Sequence, residues 1–317
     1  MWGTGEWEWE DGFLGREEVP YEVAPKRDFF VSWNNRPAPG WGGSDAQWGW
    51  SSIYRAKLLQ DAIEGEPPGT ITPTRLAQLM EQAGLTDLRG RYVLPLALRV
   101  LEKADGIGPR EQKMIELLRA WVADGARRRD GDGDGSYDHA AAVAIMDAWW
   151  EPLIRAVYDP VIGDASRIPL PFDNAPSSGG SAYQDGWYGY LWTDFSMALG
   201  DKIKSPTSRI YCGGSREATG SLAACAPRVL ASLKAAGDKL GGDDPSAWSA
   251  DAEGERIRFL PGAALSMQWV NRPTTQQLAM FGAHAQGGGA STTACATTSV
   301  LAGARATPRG RGLAPGP

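Results

Sequence analysis

Residues 32–37 carry the most informative pattern in this chain, Ser32-Trp33-Asn34-Asn35-Arg36-Pro37. The preceding residues, over 26–33, include two phenylalanines and a valine and predict a strand, and a loop rich in proline and glycine follows over 37–49. The apolar spacing then predicts a helix over 54–64. An asparagine amide held at the end of a strand can donate a hydrogen bond to a developing oxyanion. Asn34 is therefore a candidate catalytic residue, with a simple turn asparagine as the alternative.

Most of the chain after this loop has the apolar spacing of helices. Thr72 followed by Pro73 predicts a helix start, because threonine caps helices and proline fits the first helical position. Further helices are predicted over 91–104, 109–124, 139–157, 184–199 and 222–240, and strands over 256–259 and 264–270. One strand, a long helical block and two late strands predict an α+β chain with few sheet strands of its own.

The composition argues against several classes of partner and site. The chain has 317 residues, a net charge of −6 and a pI of about 5.2, which argues against nucleic acid and anionic membrane as partners. No run of about 20 apolar residues predicts a membrane span. The acidic, aromatic start of the chain lacks the pattern of a secretory signal peptide. Because the chain has 2 histidines, neither a serine–histidine–aspartate triad nor a zinc site is predicted.

The character of the sequence changes near residue 285. Residues 1–284 carry all of the predicted helices and strands, whereas residues 285–317 consist mainly of Gly, Ala, Thr, Ser, Arg and Pro without an apolar period. Such a segment has too little apolar surface to bury on folding. We predict a folded part over 1–284 and a disordered, low-complexity tail over 285–317.

An acidic loop between two predicted helices resembles a calcium-binding loop. Residues 130–138 follow the first two-thirds of an EF-hand pattern, with aspartate at the first, third, fifth and ninth positions and glycine at the sixth. The candidate metal ligands are Asp130, Asp132, Asp134 and Asp138. Ala141 stands where the bidentate glutamate of an EF-hand would be. Weak structural calcium binding and a plain acidic loop are both compatible with this pattern.

Two of the 3 cysteines lie close together in sequence. Cys212 and Cys225 flank a glycine-rich turn and the start of a predicted helix. A loop this short is readily closed by a disulfide in an oxidising compartment, and two buried thiols are the alternative. Cys295 lies in the predicted tail and has no evident partner.

The segment from Trp33 to Arg55 resembles part of the β-chain of the penicillin acylase family, amidases of the N-terminal-nucleophile hydrolase superfamily. The resemblance implies that Asn34 is a side-chain oxyanion donor and that Arg55 is the active-site arginine. It implies that Trp33 contributes to substrate binding and that Asp45 is one calcium ligand. Residues 181–190 and 268–274 resemble an aromatic stretch and the closing strand of the same family.

The resemblance also implies a fold, a substrate and a partner. We expect a partial αββα fold, made of a few sheet strands and a large helical block. The implied substrate is a small-molecule acyl amide, such as an acylated β-lactam, a lipopeptide or an acyl-homoserine lactone. Family members are secreted or periplasmic, and calcium would be a structural cofactor.

The nucleophile implied by the resemblance has no counterpart in this sequence. In the superfamily, a serine at the start of the β-chain attacks the substrate with help from its own α-amine, but this chain starts Met1-Trp2. We therefore expect the chain to be the C-terminal part of a β-chain, inactive by itself, with a missing N-terminal α/β-chain portion as its partner. The alternative is a non-catalytic, calcium-stabilised, tryptophan-rich binding module.

Overall fold

The computed structural model describes residues 12–13, 15–23, 25–33, 35–36, 38, 53–168, 187–257 and 268–271. Within them the chain is helix-rich, with seven α-helices joined by turns and short irregular segments. Their bounds are α1 Ile53–Glu64, α2 Pro73–Leu85, α3 Leu94–Leu101, α4 Pro109–Ala123, α5 Ala140–Ile162, α6 Tyr188–Ala198 and α7 Leu222–Leu240.

The helix boundaries follow local signals that can be read in the sequence. The Thr72 hydroxyl accepts a hydrogen bond from the Arg75 amide at 3.1 Å, and Pro73 opens α2, so the predicted start is confirmed. Helix α7 has the predicted bounds. The helix predicted over 91–104 is shorter than expected, because a π-helical turn over Arg89–Val93 precedes α3.

The core lies around α5, which packs most extensively against α7. Its apolar face includes Trp149, whose indole Nε1 donates a hydrogen bond to the Ser232 hydroxyl of α7 at 2.8 Å. Among the described residues, four tryptophan side chains are fully buried, namely Trp121, Trp149, Trp150 and Trp269. A buried tryptophan contributes several kcal/mol through apolar burial and packing. Much of the tryptophan content of the described chain therefore serves the core.

The predicted strand over 26–33 is wrong. Residues 25–33 form turns and extended backbone without ladder pairing, and Phe30 is 61% exposed. The described part of the chain contains almost no β-structure, with isolated bridges such as Thr86 with Arg127. Extended backbone becomes a strand only when a neighbour pairs with its N–H and C=O groups. The predicted α+β class is therefore replaced, for these residues, by a helix-rich arrangement.

Neither of the two predicted late strands is seen in the residues that the structure describes. Residues 268–270 and 256–257 are described and form no strand ladder, whereas residues 258–267 lie outside the described residues. The predicted tail over 285–317 also lies outside them. None of the described helices combines the length and the apolar character that crossing a bilayer requires.

Candidate functional site

Arg55 lies at the start of α1 and is completely buried. Its Nη2 donates a hydrogen bond to the carbonyl oxygen of Trp33 at 3.3 Å, and its guanidinium carbon lies 5.3 Å from the centroid of the Trp33 ring. An arginine can hold a backbone carbonyl and a ring face together, because its guanidinium is planar and carries several donors. Arg55 thus fixes the position of the Trp33 segment against the helical core.

The contact brings together two of the residues that the sequence singled out. Asn34 follows Trp33 directly but lies outside the described residues, as does Asp45. Beside it, the Asn35 side-chain oxygen accepts a hydrogen bond from the Trp33 amide at 3.0 Å. The backbone on one side of Asn34 is therefore held by Arg55, while the position of its own side chain remains a prediction.

The sequence matches the family model for penicillin amidase over residues 1–309. The chain belongs to the penicillin amidase family. This confirms the resemblance that was based on the segment from Trp33 to Arg55. Membership of the penicillin amidase family implies an N-terminal-nucleophile hydrolase and suggests amide hydrolase function.

In this penicillin amidase family member, the acidic loop brings together three of its four predicted ligands. Carboxylate oxygens of Asp130, Asp132 and Asp134 lie within 4.8 Å of one another. The Asp130 carboxylate is buried and accepts hydrogen bonds from the Gly133 amide at 2.8 Å and from other amides of the loop. These bonds fold the backbone around the carboxylate. Three convergent carboxylates suit a hard cation such as calcium, although calcium usually takes six to eight oxygen ligands.

Asp138 has a different environment from the other three aspartates. Its Oδ2 accepts a hydrogen bond from the Arg129 Nε at 2.7 Å, and its Oδ1 accepts one from the Gly131 amide at 2.8 Å. Burial favours the neutral acid, but the Gly131 and Arg129 hydrogen bonds outweigh it and lower the pKa of Asp138. Asp138 thus closes the acidic loop through Arg129 and Gly131, and it is not one of the three clustered carboxylates.

The segment over 268–271 links the acidic loop to the end of α2. The Gln268 side chain makes two hydrogen bonds to the Asp130 backbone. Gln268 Nε2 donates to the Asp130 carbonyl at 2.9 Å, and Gln268 Oε1 accepts from the Asp130 amide at 3.3 Å. Asn271 is buried, and its Nδ2 donates to the carbonyl of Ala83 near the end of α2 at 2.8 Å. This explains the asparagine of the closing motif, since the last carbonyls of a helix need donors.

A buried ion network that sequence analysis missed lies between these elements. Arg89 binds Asp87 through two hydrogen bonds, from Nε at 3.0 Å and from Nη2 at 2.6 Å. Arg128 Nε donates to Asp87 at 3.1 Å and its Nη1 donates to Glu255 at 2.5 Å. Asp147, on α5, accepts from both arginines. Two cations are therefore shared among three carboxylates, from four separate parts of the chain.

The centre of the network is buried, whereas the side chains of Asp147 and Glu255 at its edge are each 33% exposed. Asp87, Arg89 and Arg128 are at most 2% exposed. Burial would raise the pKa of Asp87, but the charges of Arg89 and Arg128 and their hydrogen bonds outweigh it and hold that pKa well below its usual range. Arg128 also lies 5.1 Å from the centroid of the Trp269 ring. The network thus anchors residues 255 and 269 to the helical core.

The structure joins Cys212 and Cys225 by a disulfide, with their Cα atoms 4.8 Å apart. Gly213 between them has a φ of +77°, and a Cβ there would lie 2.6 Å from the Cys225 amide nitrogen. The turn before α7 can therefore pack closely on the helix only with glycine at this position. Both cysteines are completely buried.

We expect that the Cys212→Ser, Cys225→Ser double variant loses up to about 3 kcal/mol of unfolding free energy, because opening a short loop restores entropy to the unfolded chain. Urea unfolding of the oxidised protein and of the variant measures the difference. The matched control is Cys295→Ser, which should unfold like the unmodified protein. Free thiols at both positions in non-reducing peptide maps of protein made in an oxidising compartment would contradict the pairing.

Proposed function

We propose that this chain is part of an enzyme that hydrolyses linear amides, releasing an acyl group from a small-molecule amine. The match to penicillin amidase over residues 1–309 carries the proposal. The contact of Arg55 with Trp33 supports it, because it steadies the backbone next to Asn34. Acylated β-lactams, lipopeptides and acyl-homoserine lactones all contain a bond of this kind.

In the proposed mechanism each residue has one task. A nucleophile supplied by polypeptide outside these 317 residues attacks the amide carbonyl carbon. The Asn34 side-chain amide donates a hydrogen bond to the oxyanion that forms, and Arg55 positions that donor through the Trp33 backbone. The C–N bond then breaks, the amine leaves with a proton, and water hydrolyses the acyl-enzyme. Trp33 contacts the substrate, and the partial αββα fold is completed by the polypeptide that carries the nucleophile.

The surface around residues 12–33 supports a partner that completes the fold. Large apolar side chains are exposed there and at the start of α1, namely Phe13 (104%), Tyr21 (62%), Val23 (73%), Phe30 (61%) and Ile53 (60%). Exposed apolar side chains that recur along one segment are typical of a surface that another chain covers. We assign the missing N-terminal α/β-chain portion to this surface.

The proposed function predicts that the purified 317-residue chain does not hydrolyse a phenylacetyl or fatty-acyl anilide, because we propose that the nucleophile comes from another polypeptide segment. Turnover should appear when the chain is produced with a serine-initiated β-chain segment and the α-chain of a relative. Release of the coloured aniline measures both reactions. Turnover by the chain alone above that of an Asn34→Ala control would contradict an external nucleophile. Failure of a folded, correctly associated complex to turn over any acyl anilide would contradict the amidase assignment.

Calcium is the cofactor that we propose for the acidic loop over 130–138, where it would brace the fold. With three clustered carboxylates and no bidentate glutamate, the dissociation constant should be about 10⁻⁴ to 10⁻³ M. Calcium should raise the melting temperature of the protein, and magnesium at the same concentration should do so less, because it demands a stricter geometry. Asp132→Asn should remove the shift, whereas the exposed Asp243→Asn should retain it. An equal shift in the Asp132→Asn variant would contradict the site.

The disulfide between Cys212 and Cys225 is relevant to the compartment in which the protein is located. Structural disulfides persist in oxidising compartments and are rare in the cytosol of most organisms. The bond therefore supports a secreted or periplasmic location, as the resemblance to penicillin acylases implies.

A further inference from the structure

A cavity of about 510 Å³ lies beside α6. Its described lining includes five aromatic side chains and one carboxylate. We call it the aromatic cavity and define it by Tyr158, Trp187, Tyr190, Asp194 and Tyr211. Tyr158 belongs to α5, Tyr190 and Asp194 belong to α6, and Tyr211 precedes α7. Three separate elements therefore contribute rings to one space, and the space is large enough for a small organic molecule.

The rings of the aromatic cavity contact one another in a series. Tyr158 lies 5.1 Å from Trp187 and 5.4 Å from Tyr211, and Trp187 lies 6.0 Å from Tyr190, measured between ring centroids. These are ordinary distances for packed aromatic pairs, so the rings hold one another in place. Their π-faces carry partial negative charge, which attracts cations. A wall of three tyrosines and a tryptophan is thus a preformed surface for a cation with an apolar exterior.

Asp194 adds a full negative charge to this wall. Its side chain is 2% exposed, and its two oxygens accept hydrogen bonds from the amides of Tyr211 at 2.5 Å and Cys212 at 2.8 Å. A carboxylate has about four acceptor sites, so each oxygen retains capacity for a further contact. Within the described part of the chain, no lysine or arginine forms an ion pair with Asp194. Buried carboxylates are normally paired with a cation.

Arg209 lies against the Tyr211 ring of this wall, but its described hydrogen bonds go to backbone carbonyls. The guanidinium of Arg209 lies 5.6 Å from the centroid of the Tyr211 ring, and its Nη2 donates to the carbonyl of Ala218 at 2.6 Å. Its Nη1 donates to the carbonyl of Arg216 at 3.3 Å. Arg209 therefore holds the loop before α7 and leaves the carboxylate of Asp194 to the two backbone amides. Burial raises the pKa of Asp194, and a bound cation would favour its charged form.

We propose that the aromatic cavity binds an organic ammonium ion. Its cationic head would lie against Asp194 and the faces of the aromatic rings, and its apolar groups would lie along Tyr158 and Trp187. A carboxylate supplies the charge, and the ring faces supply cation–π attraction without strong hydration. An anionic ligand is disfavoured by Asp194, and a neutral ligand would supply no opposite charge to its carboxylate. The inference does not depend on amide hydrolysis, since it rests on the cavity alone.

Choline and its neutral isostere 3,3-dimethyl-1-butanol test the proposal on the purified chain. Both have the same shape, but one carries a quaternary ammonium and the other a carbon in its place. Isothermal titration calorimetry should show choline binding at least about tenfold more tightly, because only choline gains the cation–π and carboxylate attraction. Sodium chloride at the same ionic strength should give no comparable heat. Equal binding of the two probes, or no binding of choline, overturns the proposal.

Two variants and one control locate the binding. Asp194→Asn should weaken choline binding by about tenfold or more, because it removes the charge and keeps the shape. Since Asp194 also holds the Cys212 loop, Tyr190→Ala provides a second variant at a residue that is 56% exposed and can be changed without opening the core. It should weaken choline binding several-fold. Asp243→Asn removes an exposed charge elsewhere and should bind choline like the unmodified chain. Unchanged choline affinity in folded Asp194→Asn and Tyr190→Ala overturns the site.

Discussion

Replacing Arg128 with methionine is expected to lower the free energy of unfolding by about 3 to 5 kcal/mol, which is the usual cost of removing one partner from a buried ion network. Arg128 is completely buried and its guanidinium binds Asp87, Asp147 and Glu255. Without it, Arg89 alone would face the charges of Asp87 and Asp147. Urea unfolding of the variant and of the unmodified chain, followed by circular dichroism, measures the loss.

The matched control removes an arginine from an exposed ion pair. Arg99 binds Asp201 with two hydrogen bonds, at 2.7 and 2.9 Å, but its side chain is 46% exposed. Exposed pairs contribute about 0 to 1 kcal/mol, so Arg99→Met should unfold nearly like the unmodified chain. Similar losses in the two variants would contradict the assignment of Arg128 as the centre of a buried network.

The same network predicts a direction for the effect of acid. The folded-state pKa of Asp87 lies below its value in the unfolded chain. Its contribution to stability is therefore fully present above the unfolded pKa of about 4, and it is lost as the pH falls from there toward the folded pKa. The Arg128→Met variant has a smaller difference between the two pKa values. It should consequently lose less further stability between neutral pH and acid than the unmodified chain.

Replacing Asn34 with alanine is expected to lower kcat by about 10² to 10³ in the enzyme assembled with its nucleophile-bearing segment. The proposed hydrogen bond forms mainly with the oxyanion of the transition state, so KM should change little. Hydrolysis of a chromogenic acyl anilide gives both constants. A loss confined to KM would assign Asn34 to substrate binding and would remove the oxyanion role.

Asn35→Ala is the matched control for this experiment, because it removes the neighbouring amide side chain. Asn35 accepts a hydrogen bond from the Trp33 backbone amide, so its loss should affect the local turn and change kcat only slightly. An Asn35 variant as impaired as the Asn34 variant would mean that both act by shaping the turn. The Arg55→Lys variant adds a further check, since lysine cannot reproduce the planar contact with the Trp33 ring.

Local chemistry made several elements of this protein predictable. The start of α2 follows from Thr72 and Pro73, and the bounds of α7 follow from its apolar spacing. Family membership could be predicted from the short segment between Trp33 and Arg55. In each case the determining residues are close in sequence or lie in a fixed motif, so a single sequence is enough for the prediction.

The predicted strand over 26–33 was wrong because strand formation depends on residues that are not close in sequence. Aromatic and β-branched residues favour extended backbone, but a sheet forms only where another segment supplies hydrogen-bond partners. The sequence of this segment contains no information about such a partner. The same limit applies to the acidic loop. The local pattern predicted four aspartate ligands, whereas the structure clusters the carboxylates of three. The fourth, Asp138, accepts a hydrogen bond from Arg129.

The sequence by itself determined the helices, the acidic loop and the family, because short-range spacing encodes them. Only the tertiary structure decided that Arg128, within a run of three arginines that reads as surface, is buried against Asp87 and Glu255. Arg128 and Glu255 are 127 positions apart. The aromatic cavity likewise depends on three elements that meet only when α5, α6 and the loop before α7 pack together. Burial and charge pairing at such distances depend on the folded path of the chain, which no local pattern specifies.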